Sequence, residues 1–180
     1  MEIPKHPLTG NQSMFLSSLR TTMNNRIYFY GSILRKDYIP SMSDIDVLYF
    51  ADNVVEDTKK MLRFMKRYAN NDPNVVVKSV KFLYHSKSTR RLTSGYKVKY
   101  LDPDRSIIIE VGVYKNEDKD MIVGEQLVKS DLPLVVLWVL YVLKILAYKF
   151  RFIPEPTFKK LKEYIFTAST GLGGTYVLFN

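Results

Sequence analysis

The stretch that most constrains this chain is YFYGSILRKDYIPSMSDIDVLYF, residues 28–50. Its last seven residues read as a strand, with Ile45, Val47 and Tyr49 on one face and Asp44, Asp46 and Leu48 on the other. An unpaired charge in an apolar strand is costly unless something compensates it, so two aspartates on one face call for a cation. At the strand rise per residue they stand roughly 6–7 Å apart. That separation can hold two divalent ions about 3.5–4 Å from each other, the spacing of two-metal phosphoryl transfer. Magnesium takes one or two carboxylates plus phosphate oxygens and water, which suits so sparse a donor set.

The strand before it, RIYFYG, ends in Gly31-Ser32. A glycine lets the backbone approach a triphosphate closely, and Ser32 adds a hydroxyl and an amide N–H. Taken singly, Gly-Ser is ordinarily a turn and Asp-x-Asp a solvated strand edge. The ordered combination with a later acidic strand points to a metal-dependent site. In that later strand, within RSIIIEVGVY, Ile107, Ile109, Val111 and Val113 share one face; Ile108, Glu110 and Gly112 share the other. Glu110 can complete the site as metal ligand and as base for an attacking hydroxyl, with Asp102, Asp104 and Glu117 as competing acids close by.

Around this core the chain reads as a helix over 11–25 and an amphipathic helix over 55–70 with Met61, Leu62, Phe64 and Met65 inward. A strand over 74–85 is followed by a polar loop over 86–95 and a hairpin turning through Asp102-Pro103-Asp104. Ser130-Asp131 before Pro133 predicts a helix start, with the helix running to about Lys149. EPTFKKLKEYIFT predicts another. A composition shift near residue 120 divides a strand-rich unit, 1–120, from a helical one, 121–180.

The 180 residues include no cysteine and two histidines, His6 and His85, which argues against a disulfide scaffold and a thiolate or histidine zinc site. With no signal-peptide core in MEIPKHPLTG, an intracellular protein is expected. LPLVVLWVLYVL, residues 132–143, is about half the ~20 residues of a membrane span and reads as a buried core helix, so no membrane partner is expected. Net charge +9 permits a polyanionic partner. Lys78, Lys81, Lys87, Arg90, Arg91, Lys97 and Lys99, interleaved with Tyr84, Tyr96 and Tyr100, could track an RNA backbone while the rings stack on bases, or could form a solvated positive face.

GSILRKDYIPSMSDIDVLYF resembles the signature of the polymerase-β-like nucleotidyltransferase superfamily: Gly-Ser, about ten residues, then Asp-hydrophobic-Asp. DYIPSMSDIDV, the paired strands of YKVKYLDPDRSIIIEVGVYKN, and LPLVVLWVLYVLKILAYKFRF with TGLGGTYVLF are similar to the noncanonical poly(A) polymerases and terminal uridylyltransferases. The resemblance implies an α/β (α+β) fold: a small mixed sheet flanked by helices, with a nucleotidyltransferase unit over 1–120 and a partial helical unit over 121–180. It implies transfer of nucleoside monophosphates from an NTP, ATP or UTP, to an RNA 3′ end with Mg2+ or Mn2+. By the same resemblance Gly31 and Ser32 hold the triphosphate, and Asp44, Asp46 and Glu110 are the metal-binding catalytic acids. Lys144 falls where a family lysine reaches the phosphates, or is a helix-end lysine snorkelling to water; Tyr176 falls where a tyrosine stacks on the base. Lys87, Arg90, Arg91, Lys97 and Lys99 would meet RNA.

Two other functions fit the same residues: a minimal nucleotidyltransferase that adenylylates a protein or small molecule, with Arg35 after Gly31-Ser32, and a non-catalytic RNA-binding or scaffold relative. Such relatives continue beyond the glycine-rich turn. This chain is then expected to be a minimal form, a partial one, or one completed by a partner. Because the helix from Leu132 is apolar almost all round and one further helix follows to cover it, a homo-oligomer or partner chain through helices around Leu137, Tyr141 and Phe158 is expected.

Overall fold

Thr9 opens the first helix, α1 (Gly10–Met23), with a capping box: its hydroxyl accepts from the Gln12 amide while the Gln12 side chain accepts from the Thr9 amide. Asn24, in the left-handed conformation, ends it. This computed structural model of the chain describes residues 3–40, 42–70, 72–86, 89–172 and 174–179, with the backbone alone at 174–176. From α1 the chain runs into β1 (Ile27–Tyr30), a 3-10 turn (Gly31–Leu34) and β2 (Ile45–Ala51). Helix α2 (Val54–Tyr68) leads to β3 (Val76–Ser86), β4 (Leu92–Leu101) and β5 (Ile108–Lys115), and then to α3 (Lys119–Ser130). Helix α4 (Leu134–Lys144), a π-helical turn (Ile145–Lys149), α5 (Glu155–Thr170) and β6 (Gly174–Phe179) follow.

Among the described residues six strands form one mixed sheet in the order β1-β2-β5-β4-β3-β6. Only the β2–β5 pair is parallel; the other pairs are antiparallel. The period-2 pattern sorts the side chains as the sequence predicts. Ile45, Val47, Tyr49, Ile109, Val111 and Val113 pack with Phe15 and Leu19 of α1 and Met61 and Met65 of α2 in the main core. On the reverse face Leu48, Phe50, Phe82, Tyr84 and Tyr114 pack with Ile122 of α3. That second cluster covers one end of the face and leaves the other end, where Asp46 and Glu110 stand, to α5.

The structure departs from the sequence reading at several places. Residues 92–95 are strand, because β4 stays in register with β3 up to His85↔Leu92 and buries Thr93, whose hydroxyl donates to Asp118. Ser130 closes α3, a helix not anticipated, and Pro133, not Asp131, stands at the cap of α4. The α-helix ends at Lys144 and continues to Lys149 as a π turn. The closing segment is a strand that joins the sheet edge at β3. Among the described residues no single helix is long and apolar enough to cross a membrane. Leu137 and Phe158, expected at an interface, are buried inside: Leu137 lies in a cluster with Leu132 and Leu140 against Ile165 and Phe166, and Phe158 meets Tyr148 edge-on.

Candidate active site

β2 and β5 run parallel with Asp46 opposite Glu110 in register, so both carboxylates leave the sheet on the same face, side by side. Asp44 precedes the first residue of β2 and is carried by the loop before it. Gly31, at the end of β1, has φ +72, and a Cβ on it would stand 2.1 Å from Asp46 Oδ2. Only glycine allows the backbone to turn there against the carboxylate. Ser32 is buried within the 3-10 turn, and its carbonyl accepts from the Arg35 amide at 2.8 Å.

These groups open onto a cavity of about 810 Å3 between the sheet and α5. Gly31, Asp44, Asp46 and Glu110 line one wall, Lys97 and Lys99 of β4 flank them, and Lys159 and Lys162 of α5 face them. Tyr148, on the π turn, also lines it.

Burial first, then the charges of Asp44 and Glu110, push the Asp46 carboxyl well above the ordinary carboxylate range; Lys162 and Lys97 pull the other way. Lys97 Nζ donates to Glu110 Oε1 at 2.9 Å. Burial, and after it Asp44, raises Tyr148 to about 12. Burial, followed by Asp44 and Asp46, also raises Tyr38. Burial is the first cause at all three groups, and the neighbouring acids add to it.

Among the described residues no three carboxylates or histidines converge as a ready-made metal cage. Asp44 and Asp46 form no ion pair among them either, and at Asp46 burial, with the charges of Asp44 and Glu110 after it, favours the neutral carboxyl. Donors of this kind fit a hard divalent cation whose remaining ligands are phosphate oxygens and water.

The other anticipated residues divide. Lys97 and Lys99 stand on the cavity wall. Arg90 and Arg91 lie at the opposite end of the β3–β4 hairpin, where the Arg91 guanidinium is 3.5 Å from Asp118. Lys87 and the side chain of Tyr176 lie outside the described residues. Lys144 is buried away from the cavity, because the end of α4 packs on the loop after the 3-10 turn; its Nζ donates to the Asp37 carbonyl at 2.8 Å and to Ser43 Oγ at 3.2 Å. The lysine that faces the acids is Lys162, which the sequence reading passed over. Its signal was available: Phe158, Lys162 and Phe166 recur every four residues, so a lysine interrupts an apolar stripe of α5.

Three solved structures to which the chain is similar are terminal uridylyl transferase 4 from Trypanosoma brucei with bound CTP, GTP and ATP. Their identities are 14%, 13% and 12%, and their TM-scores 0.41, 0.41 and 0.38. They align with 67%, 70% and 70% of this chain but only 36%, 39% and 37% of their own, so the chain spans little more than a third of their length. No curated protein matches it in sequence. Residues 13–166 match the model of the nucleotidyltransferase domain, from α1 through most of α5, and the chain belongs to that family.

Proposed function

We propose that this nucleotidyltransferase transfers nucleoside monophosphates from an NTP, ATP or UTP, to the 3′ hydroxyl of an RNA, with Mg2+ or Mn2+. The observation that carries the reading is the convergence of Gly31 on Asp46, with Glu110 in register beside it, at the wall of a cavity rimmed by lysines. The backbone at Gly31 seats the triphosphate, and Lys162 meets its charge from α5. Asp44 and Asp46 would hold the metal ions, which supply charge neutralisation and alignment of the phosphates. The hydroxyl oxygen attacks the α-phosphorus, the bond from that phosphorus to the β-bridging oxygen breaks, and pyrophosphate leaves. Glu110 takes the hydroxyl proton, while Lys97 holds the carboxylate in place. Lys97, Lys99 and Lys159 around one cavity suit a polyanionic acceptor.

Arg35, which suggested a protein- or small-molecule-modifying enzyme, donates from Nε and Nη2 to buried Asp37. The experiment is extension of a labelled RNA primer with each NTP and magnesium. Stepwise extension supports RNA tailing. A single label moved to a protein or small acceptor replaces it with the modifying reaction, and salt-sensitive RNA binding without transfer replaces it with a scaffold.

A further inference from the structure

A group of three charges borders the site, each side chain 5% exposed or less. Arg35 Nε and Nη2 donate to the two oxygens of Asp37 at 2.8 and 3.2 Å, and the guanidinium stacks 5.1 Å from the Phe166 ring of α5. Lys144, the last α-helical residue of α4, completes the group. Its ammonium reaches Asp37 Oδ2 at 3.1 Å as well as the Asp37 carbonyl and Ser43 Oγ. Ser43 Oγ in turn accepts from the Ile39 amide at 3.2 Å.

Buried ion groups of this kind add little stability over apolar residues of the same shape, and their best-attested use is to fix one arrangement among several. Here the arrangement is that of the loop between the 3-10 turn and β2. Asp46 is held by ladders on both sides, from β1 and from β5. Asp44 lies before β2 and has no ladder. Its neighbour Ser43 is one of the two loop residues that Lys144 holds; Asp37 is the other.

We propose that Lys144 is a positioning residue: by clamping Asp37 and Ser43 it sets Asp44 relative to Asp46, so that α4 determines the spacing of the catalytic aspartates. This rests on Asp44 and Asp46 being the metal-binding pair of the proposed reaction. The role differs from that of a lysine on the nucleotide phosphates, and the two separate in kinetics.

The test compares wild type with Lys144→Met, which keeps the chain length and removes the charge. Three readouts are taken: amide exchange over residues 38–44, Mn2+ titration with a non-hydrolysable NTP, and steady-state transfer. Exchange over 38–44 is expected to quicken while α1 and α2 stay protected. Mn2+ affinity is expected to weaken, and kcat to fall about a hundredfold, the cost of about 1 Å of misplacement, with KM for NTP nearly unchanged. Should Lys144→Met fail to fold, Ser43→Ala, which deletes one arm of the clamp, is expected to move the same readouts in the same direction. A folded variant with wild-type exchange overturns the proposal, as does a rise in KM for NTP at constant kcat. If wild type binds Mn2+ and nucleotide but transfers nothing, the proposed function fails, and exchange with Mn2+ affinity decides the clamp alone. If wild type binds no Mn2+, both fail.

Discussion

Gly31 and Asp46 are in such close approach that a single Cβ on the glycine would lie 2.1 Å from the carboxylate oxygen. The contact joins the end of β1 to the start of β2, and it makes Gly31 answerable to two constraints at once. Its φ of +72 costs an L-residue about 1–2 kcal/mol. The added methyl also has to push Asp46 out of line. Gly31→Ala is therefore expected to lose about a hundredfold in transfer, the price of about 1 Å of misplacement, with a melting temperature only a few degrees lower. Turnover near the wild-type rate would show that Asp46 tolerates displacement and plays no part in the chemistry.

Asp46 is destabilising where it is most useful. Its folded carboxyl titrates well above the ordinary range, so the folded state binds a proton more tightly than the unfolded chain does. Below both values the carboxyl is neutral in either state and no cost arises. As pH rises past the ordinary range the unfolded chain ionises first, and the cost is fully present once the folded group has ionised too. Asp46→Asn is accordingly expected to raise the melting temperature at neutral pH, with the gain shrinking in acid. Asp44→Ala and Asp46→Ala should both abolish transfer while remaining folded. Gross unfolding in circular dichroism would mark the acids as structural.

The acid-bearing strand pair was legible because alternation is a local signal. Ile45-Asp46-Val47 and Ile109-Glu110-Val111 each place one acid against two core residues, and the parallel register then brings the acids together. Helix α3 was hidden because Gly124 and the paired apolar residues Leu127-Val128 blur its period; two of its apolar residues remain exposed. Strand β6 was hidden because its pairing with β3 spans some ninety residues of chain, and Gly-Leu-Gly-Gly reads as a turn. Lys144 and Lys162 are both lysines on helices of the second half. Which of them meets the acids depends on how α4 and α5 are rotated over the sheet, a matter of tertiary packing.

That rotation makes Lys162 the cation to remove. It faces Asp46 across the cavity and lowers the Asp46 carboxyl toward the ordinary range. A hydrogen bond to a charged group contributes about 1.5–3 kcal/mol, so Lys162→Ala is expected to lose about ten- to a hundredfold in kcat/KM for NTP. The loss should sit mainly in KM, opposite to the pattern expected of Lys144→Met. Steady-state kinetics with varied NTP at saturating acceptor measures the split.

Helix α4 turns Leu137 and Leu140 inward and leaves Val135 and Trp138 outside, 75% and 68% exposed, with Leu134, Val139 and Val142 beside them. Contiguous apolar surface of this kind marks an interaction face. Self-association through it is expected at micromolar concentration in light scattering, and Trp138→Lys should return the chain to monomer. A wild-type monomer that binds no exposed-hydrophobe dye would exclude such an interface.

The Lys144 clamp should also leave a trace in alkaline stability. Burial lowers the ammonium from the ordinary 10.5 to about 8, against the pull of Asp37. Below pH 8 both folded and unfolded chains carry the proton, and the burial cost is present in full. Between pH 8 and 10.5 the folded lysine has released a proton that the unfolded chain still holds, so stability rises with pH. The whole window corresponds to about 3 kcal/mol at 1.36 kcal/mol per unit. Above pH 10 the tyrosines oppose it: Tyr49 and Tyr148 are raised to about 12, so unfolded tyrosines ionise first and stability falls. Wild type should therefore gain on Lys144→Met between pH 8 and 10 and run parallel to it beyond pH 10.5. Melting curves of both proteins at half-unit intervals check this, and profiles parallel throughout would mean that the Lys144 ammonium is hydrated and clamps nothing.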